Sequence, residues 1–298
     1  MARVVVTGAT GFVGGRVAGA LRRRGDEVVA LVRTPSDELA GLGVEQPVVA
    51  LDDADGLGAA MQGADGIVHA AAVAGPDLDT ARAVNTLGTR SLVAAARTAA
   101  VGRFVHISTT SVYDLQAVGD AEVAEDAPLA VAETEAAKTS SAAAPYALTK
   151  AEAEAEVDRG RTQGLSVAVL RPPAVLGAGP TSTWGTRMPQ RYRDGEMHAV
   201  PPETTFGWVH VDDLVEAVLV ALDHDAQATV NVVGGHTTFG AYLAALREFL
   251  PEAPATAAVS DAAPWRGSYA TGRLPEVFGV RPSRTFEAAM DEIRAAWS

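Results

Sequence analysis

The chain has 298 residues, 48 % hydrophobic and 20 % charged, and no cysteine. Its 37 acidic against 24 basic side chains give a net charge of −13, a surface that repels phosphate backbones and anionic lipid and so speaks against nucleic-acid and membrane-surface roles. Lack of cysteine removes disulfides, thiolate metal sites and a cysteine nucleophile, and the length is ample for one large or two closely joined domains.

The N-terminus enters at once a valine run at 4–6, too short for the core of a signal peptide. No stretch approaches the roughly 18 to 20 apolar residues of a membrane helix, and a cytoplasmic protein is expected. Residues 3–7 read as a buried strand and 11–24 as a helix ended by Gly25. Further strands are predicted at 28–32, 48–51, 66–70 and 104–107, with helices around 54–62 and 80–99. A helix from Tyr146 to about Arg161, a strand at 166–170 and another at 229–233 continue the rhythm. Apolar strands separated by helices make a parallel sheet covered on both faces, a Rossmann-like doubly wound α/β fold. Residues 1–170 with about 203–235 are assigned to this dinucleotide-binding part; about 171–202 with 236–298 form a smaller C-terminal substrate-binding lobe. Residues 114–143 hold seven acids, many alanines and little period, which predicts a mobile loop or lid. Residues 171–202 are rich in Gly, Pro and Thr and carry Trp184, Arg187, Arg191 and Arg193, the composition of a pocket above a rigid sheet.

The first strand runs into Gly8-Ala9-Thr10-Gly11-Phe12-Val13-Gly14 and then a helix. Glycines there allow a tight turn, close approach of backbone to a pyrophosphate and close helix–strand packing, while the helix N-terminus offers free N–H groups to an anion. The same pattern also serves as a plain turn; its place at the first strand of a βαβ series points to a dinucleotide. The second strand ends Val32-Arg33-Thr34. An acid there would hold a ribose 2′-hydroxyl, whereas an arginine accommodates a 2′-phosphate. Arg33 therefore favours NADP over NAD, with Thr34 or Ser36 as helpers; a solvated arginine is the bland alternative. Asp52 and Asp53 either border an adenine or form a turn.

Tyr146 and Lys150 share one helical face at i, i+4. An ammonium held beside a phenol favours the phenolate, which lets the tyrosine exchange a proton with a substrate oxygen near neutral pH; a surface pair is the alternative. Ser108-Thr109-Thr110-Ser111 follow the strand at 104–107 and put several hydroxyls at the carboxyl end of the sheet, where ligands of such folds bind. The six histidines show no ligand spacing, so no metal site is proposed. An aspartate in His210-Val211-Asp212-Asp213-Leu214 is expected to cap a helix.

Taken in order, these segments resemble the extended short-chain dehydrogenase/reductases, the NAD-dependent epimerase/dehydratase family. The matching residues run from the glycine turn through His69-Ala70-Ala71-Ala72, Asn85 with Gly88-Thr89, Ser108-Thr109 ahead of Val112-Tyr113, Tyr146 with Lys150 and Arg171-Pro172 to His210–Leu214. The resemblance implies Tyr146 as general acid/base, Lys150 as its electrostatic tuner and a ribose ligand, and Thr109 as the hydroxyl partner. It implies further dinucleotide contacts at Ala70, Ala71, Ala72, Asn85, Ile107, Pro172, Ala174 and Val175. Ser108, Thr110, Tyr113, Trp184 and Arg187 would face a small-molecule substrate. Such relatives pair into homodimers through the helices corresponding to 80–99 and 146–161, although the alternation Ala151-Glu152-Ala153-Glu154-Ala155-Glu156 is acidic for a buried face.

Dehydratases of this kind carry an Asp-Glu pair where Thr110 and Ser111 stand, so dehydration is disfavoured. The usual Asn after Arg-Pro-x is Ala174, which weakens a sugar-nucleotide reading. An NADPH-dependent ketoreductase is expected, with an NAD-dependent nucleotide-sugar 4-epimerase as alternative and a non-catalytic dinucleotide sensor as the outlier. Extra residues between Pro128 and Tyr146, including 134–143, are predicted to border or cover the pocket.

Overall fold

The computed structural model describes residues 1–75, 77–130, 144–197, 200–251 and 263–298. Its frame is a six-stranded parallel sheet in the order β2-β1-β3-β4-β6-β9, from β1 (Arg3–Thr7), β2 (Glu27–Leu31), β3 (Gly66–His69), β4 (Arg103–Ile107), β6 (Val167–Arg171) and β9 (Ala228–Asn231). Alternation along β1 decides the layers. Val4 and Val6 face a core completed by α1 (Phe12–Arg24), α9 (Val211–Asp223) and α11 (Arg273–Phe278), through Val17, Leu21, Leu214, Val218 and Leu274. Val5 faces the opposite core, which Leu57, Leu92, Phe104 and Val157 fill from α3 (Ala54–Ala60), α5 (Gly88–Thr98), β4 and α7 (Ala144–Thr162). Burial on both faces explains why these strands are apolar throughout.

The ladder registers bring one rim level. Thr7 pairs with Leu31 and His69, His69 with His106, Ile107 with Leu170, and Arg171 with Asn231. Every chemically active end of the sheet therefore opens on the same side, the carboxyl side.

The strand expected at 48–51 is not formed. Its place at the sheet edge holds two isolated parallel bridges, Val29 with Glu45 and Val32 with Val48. Glu45 and Val49 donate backbone N–H groups to Val28 and Val32, but Pro47 between them has no N–H, and the missing rung breaks the ladder. In the helical stretch expected at 80–99, α4 (Leu78–Ala81) passes into α5 through a π-helical turn, Arg82–Leu87, which turns Asn85 and Thr86 inward.

The smaller lobe is a mixed sheet, β10-β8-β7, of β7 (Ala174–Leu176), β8 (Thr205–His210) and β10 (Gly235–Thr238). The stretch 203–235, expected to belong to the dinucleotide-binding part, thus divides: β8 pairs in the small sheet, while α9 and β9 serve the large one. Its core is aromatic: Trp184, Tyr192, Phe206, Trp208, Phe239 and Tyr242, closed by α10 (Phe239–Arg247) and α12 (Phe286–Trp297). Trp297 packs on the same core, and its indole N–H donates to the Gly185 carbonyl at 2.9 Å. The expected aspartate cap of α9 is His210 instead, whose Nδ1 accepts from Asp212 N at 3.1 Å. Asp213, fully buried, accepts from Ser283 N, Arg284 N and the Arg284 guanidinium.

Of the expected loop at 114–143, the described part carries α6 (Leu115–Val118) and β5 (Glu122–Val123), which pairs with β11 (Ser268–Tyr269). Residues 131–143, with the expected insertion at 134–143, lie outside the described residues. Among the described residues no helix is long and apolar enough to cross a membrane.

Candidate active site

The site grows from the turn after β1. Gly8 has φ +71°, and a β-carbon there would stand 2.6 Å from Ala71 N and 2.7 Å from the Ala70 carbonyl carbon. Only glycine allows this crossing without strain. Gly14 is closed in the same way, since its β-carbon would run into the Gly8 carbonyl. Gly11 is the N-cap of α1 and brings no side chain to the first turn, so the N–H groups there are left to an anion. The turn is braced from beneath. Thr7 Oγ1 accepts from Ala71 N at 3.2 Å and donates to His69 Nδ1 at 2.6 Å; His69 Nε2 in turn donates to Thr89 Oγ1 at 2.8 Å. Thr89 gives its own hydrogen to the Asn85 carbonyl at 2.5 Å, which fixes those directions. Burial drives the His69 imidazole down to about 3, so the ring is neutral.

Asn85 is buried and exchanges two hydrogen bonds with the Val73 backbone at 2.8 and 2.9 Å, and a third bond reaches Thr149. Its side chain ties the segment after β3 to the Tyr146–Lys150 helix. Arg33 is exposed just past β2 and has no hydrogen-bond or ion-pair partner among the described residues. Thr10 and Asp52 are exposed as well. Asp53, by contrast, accepts from Gly56 N at 3.0 Å as the N-cap of α3, the turn-forming role. Phe12 lays its ring against Gly179 and reaches Gly177; Val13 is half-buried beside it. Pro172, Ala174 and Val175 follow the end of β6 on the same rim, and Pro172 accepts from Thr110 N at 2.9 Å.

Thr109, Tyr146 and Lys150 come together where β4 ends against α7. Burial pushes the Tyr146 phenol up to about 12, and a hydrogen bond with the Thr109 side chain works against that rise. Lys150, 2 % exposed, donates from Nζ to the Ile107 carbonyl at 2.8 Å and lies 3.1 Å from His106 Nε2. Burial brings its ammonium down to about 8, with Glu154 opposing. The phenol lowered by its lysine, expected from the i, i+4 spacing, is not found in this state: burial raises it, only the Thr109 contact opposes that rise, and the ammonium is directed into the end of β4.

The expected substrate residues divide. Ser108 donates to Glu154 and belongs to a buried network under the site. Arg171 grips Glu154 through Nε at 2.9 Å and Nη2 at 2.5 Å, and donates to Tyr113 Oη at 2.9 Å; Tyr113 donates to Asn231 at 2.7 Å. Ser108 and Tyr113 thus support the rim rather than face a ligand. Trp184 lies in the small lobe's core, its ring 4.9 Å from Phe206. Arg187 is exposed. Thr110 meets the hydroxyl of Tyr269, a residue that no motif or spacing singles out. Tyr269 packs between Tyr113, His236 and Trp265, with ring centroids 5.2 to 6.1 Å apart, and brings the C-terminal lobe to the residue after Thr109. Glu154 was also missed as a site residue, although it continues the i, i+4 stripe of Tyr146 and Lys150.

A model of the NAD dependent epimerase/dehydratase family matches residues 4–234. The chain is 32 % identical over 253 residues to the sterol demethylase protein B of Methylococcus capsulatus, covering 82 % of this chain and 73 % of that one. It is also 32 % identical to the 2-alkyl-3-oxoalkanoate reductase of Stenotrophomonas maltophilia, over 66 % of this chain but only 58 % of that relative. Among solved structures, MoeE5 in complex with UDP-glucose and NAD superposes with a TM-score of 0.81 at 23 % identity over 99 % of this chain and 98 % of that one, a likeness of fold. The UDP-glucose 4-epimerase of Thermus thermophilus in complex with NAD gives 0.76 at 25 % identity, over 99 % and 98 %. With the family model matched over most of its length, the chain belongs to the NAD dependent epimerase/dehydratase family.

Proposed function

We propose that the protein is an NADPH-dependent ketoreductase acting on a small-molecule or sugar-like ketone. The observation that carries the choice is Arg33, an exposed guanidinium with no partner among the described residues, where a 2′-phosphate would lie. The cradle fits a dinucleotide: Gly8 and Gly14 have no room for a β-carbon, and α1 opens without a side-chain cap. Gly8, Thr10, Gly11, Phe12, Val13 and Gly14 would hold the pyrophosphate, and Asp52 with Ala70–Ala72 the adenosine side. Ile107, Pro172, Ala174 and Val175 would line the nicotinamide side, with Lys150 on its ribose. When bound, NADPH supplies the hydride that reaches the carbonyl carbon.

The chain's own residues manage the oxygen. Thr109 donates to it and fixes its place. Tyr146, protonated at neutral pH because burial raises it, passes its phenolic proton to the oxygen as negative charge develops there. Lys150 supplies the positive charge that makes the departing phenolate tolerable. One hydride and one proton convert the ketone to its alcohol, and Tyr146 recovers a proton from solvent.

The 2-alkyl-3-oxoalkanoate reductase among the relatives supports net ketone reduction. The second reading, an NAD-dependent nucleotide-sugar 4-epimerase, draws on the likeness to the UDP-glucose 4-epimerase and on exposed Arg187, a cation available to a diphosphate. We place the protein in the cytoplasm and read it as a homodimer through α5 and α7. The acids that spoke against that surface are neutralised within the protomer: Glu152 by Arg82, Glu154 by Arg171, and Glu156 by Arg90 and Arg159.

The test is a panel of ketones and nucleotide sugars assayed with both nicotinamides. The reductase consumes NADPH in preference to NADH, and Arg33→Asp weakens NADPH binding by roughly 10- to 100-fold, the loss of a charge-assisted contact. Unchanged preference in the variant removes the 2′-phosphate assignment. NAD retained through purification, with interconversion of sugars and no net NADPH use, selects the epimerase.

A further inference from the structure

His106 is a buried, titratable group for which the reaction above has no use. It is fully buried in β4, its Nε2 lies 3.1 Å from Lys150 Nζ, and its Nδ1 has no hydrogen-bond partner among the described residues. A buried N–H without an acceptor loses the hydrogen bond it made to water, so an apolar residue at this place would serve the core better. The geometry beside Lys150 gives that histidine a use. An ammonium has three N–H groups. One goes to the Ile107 carbonyl at 2.8 Å and a second to His106 Nε2. With two directions fixed, the third is fixed too, and it is the donor left for the Tyr146 side of the site.

We propose that His106 is a positioning residue for Lys150: its neutral Nε2 accepts one ammonium N–H, aims the remaining donor toward the dinucleotide ribose and Tyr146, and keeps the lysine charged in a buried site. The inference rests on Lys150 acting at the dinucleotide. The other groups facing this pair are known. His69 of β3 lies 5.2 Å from the His106 ring, centroid to centroid. Both of its nitrogens are engaged by Thr7 and Thr89, so it cannot take the His106 proton. Tyr146 and Glu154 flank Lys150 one turn away on α7, and Glu154 is held by Arg171. Burial, and after it the Lys150 ammonium, holds the His106 imidazole well below its ordinary value, so the ring stays neutral, and acceptance at Nε2 leaves its proton on Nδ1. Acceptance of a hydrogen bond from the charged form favours that form, so loss of Nε2 lets burial discharge the lysine at lower pH.

Three proteins and one readout independent of turnover test this: NADPH binding, followed by fluorescence from pH 6 to 9, for the wild type, His106→Leu and His106→Gln. In the leucine variant the pH at which binding weakens falls by about one unit, leaving affinity within about twofold of wild type at pH 6 and roughly fivefold weaker at pH 8. Glutamine, which retains an acceptor, restores most of the wild-type profile. An unshifted profile in the leucine variant, or equal shifts in both, overturns the proposal. Nitrogen-15 NMR of the wild-type imidazoles supplies a check that needs no variant to fold: His106 must carry its proton on Nδ1, and the opposite tautomer refutes it. Lys150→Met separates the two readings. If that variant binds NADPH as tightly as wild type at every pH, the role of Lys150 at the dinucleotide fails first and takes this inference with it.

Discussion

Tyr146→Phe removes one oxygen from a ring that keeps its place in the wall of the pocket. Turnover is expected to fall by about 10²- to 10⁴-fold, the range for loss of a positioned acid, with NADPH affinity within about twofold of wild type. Steady-state rates beside a binding titration check the split; equal losses in both would mean a damaged pocket instead of a missing proton. Lys150 makes a second prediction through stability. Its ammonium is held near 8 in the folded chain, below the ordinary lysine value of 10.5. Between about pH 8 and 10.5 the unfolded chain binds the extra proton, so unfolding free energy contributed by this residue rises with pH across that window. Urea unfolding of wild type and Lys150→Met at several pH values reads it: the wild type gains on the variant as pH rises, and parallel curves count against a depressed lysine. At this scale the sequence was informative where spacing is local. Tyr146 and Lys150 share one helical face, and that is legible from position alone. Which of four successive hydroxyls reaches the site is decided by the strand end, where Ser108 turns down to Glu154 and Thr109 turns toward Tyr146.

Helix α7 is anchored to the end of β6 by one buried ion pair, Glu154 with Arg171, each about 5 % exposed. Burial of two charges gives little net stability, but removing one partner strands the other, at a cost of about 3–5 kcal/mol. Arg171→Met is therefore expected to lower unfolding free energy by that amount and turnover with it, because the helix that carries Tyr146 loses its fixed point. Glu154→Leu combined with Arg171→Met should recover at least half of the stability; a double variant as weak as the single one would place the loss in the Tyr113 and Glu125 contacts instead. Element positions were legible where periodicity was strong: α1 runs to Gly25, whose φ of +95° ends it as glycine permits. They failed where a single residue overrules the pattern. Pro47 withholds one amide and cancels an edge strand that its apolar neighbours predict. His210 caps α9 in place of an aspartate because the helix starts at Val211 and already holds Asp212 and Asp213 inside its first turn, where Asp213 meets Arg284.

On the scale of the whole molecule, the two lobes are joined by a polar seam. Arg16 donates to the Ala178 carbonyl at 2.7 Å, Glu292 accepts from Ala178 N at 2.9 Å, and His210 donates to Glu292 at 2.9 Å. The seam links α1 under the glycine turn to α12 at the far end of the chain. Such long-range pairings carry no local sequence signature, which is why the boundary drawn at residue 203 did not foresee β8 crossing into the small sheet. The aromatic core of that small lobe has a spectroscopic corollary. Three of the protein's four tryptophans, Trp184, Trp208 and Trp297, lie in or against it, and the fourth, Trp265, packs on Tyr269. Indole emission thus reports chiefly on the small lobe, with Trp265 reaching back to the Gly119 carbonyl, whereas far-ultraviolet circular dichroism is dominated by the large sheet and its helices. If the seam makes the lobes one cooperative unit, the two signals will trace a single denaturation curve; emission changing at lower urea than ellipticity would show that the smaller lobe lets go first.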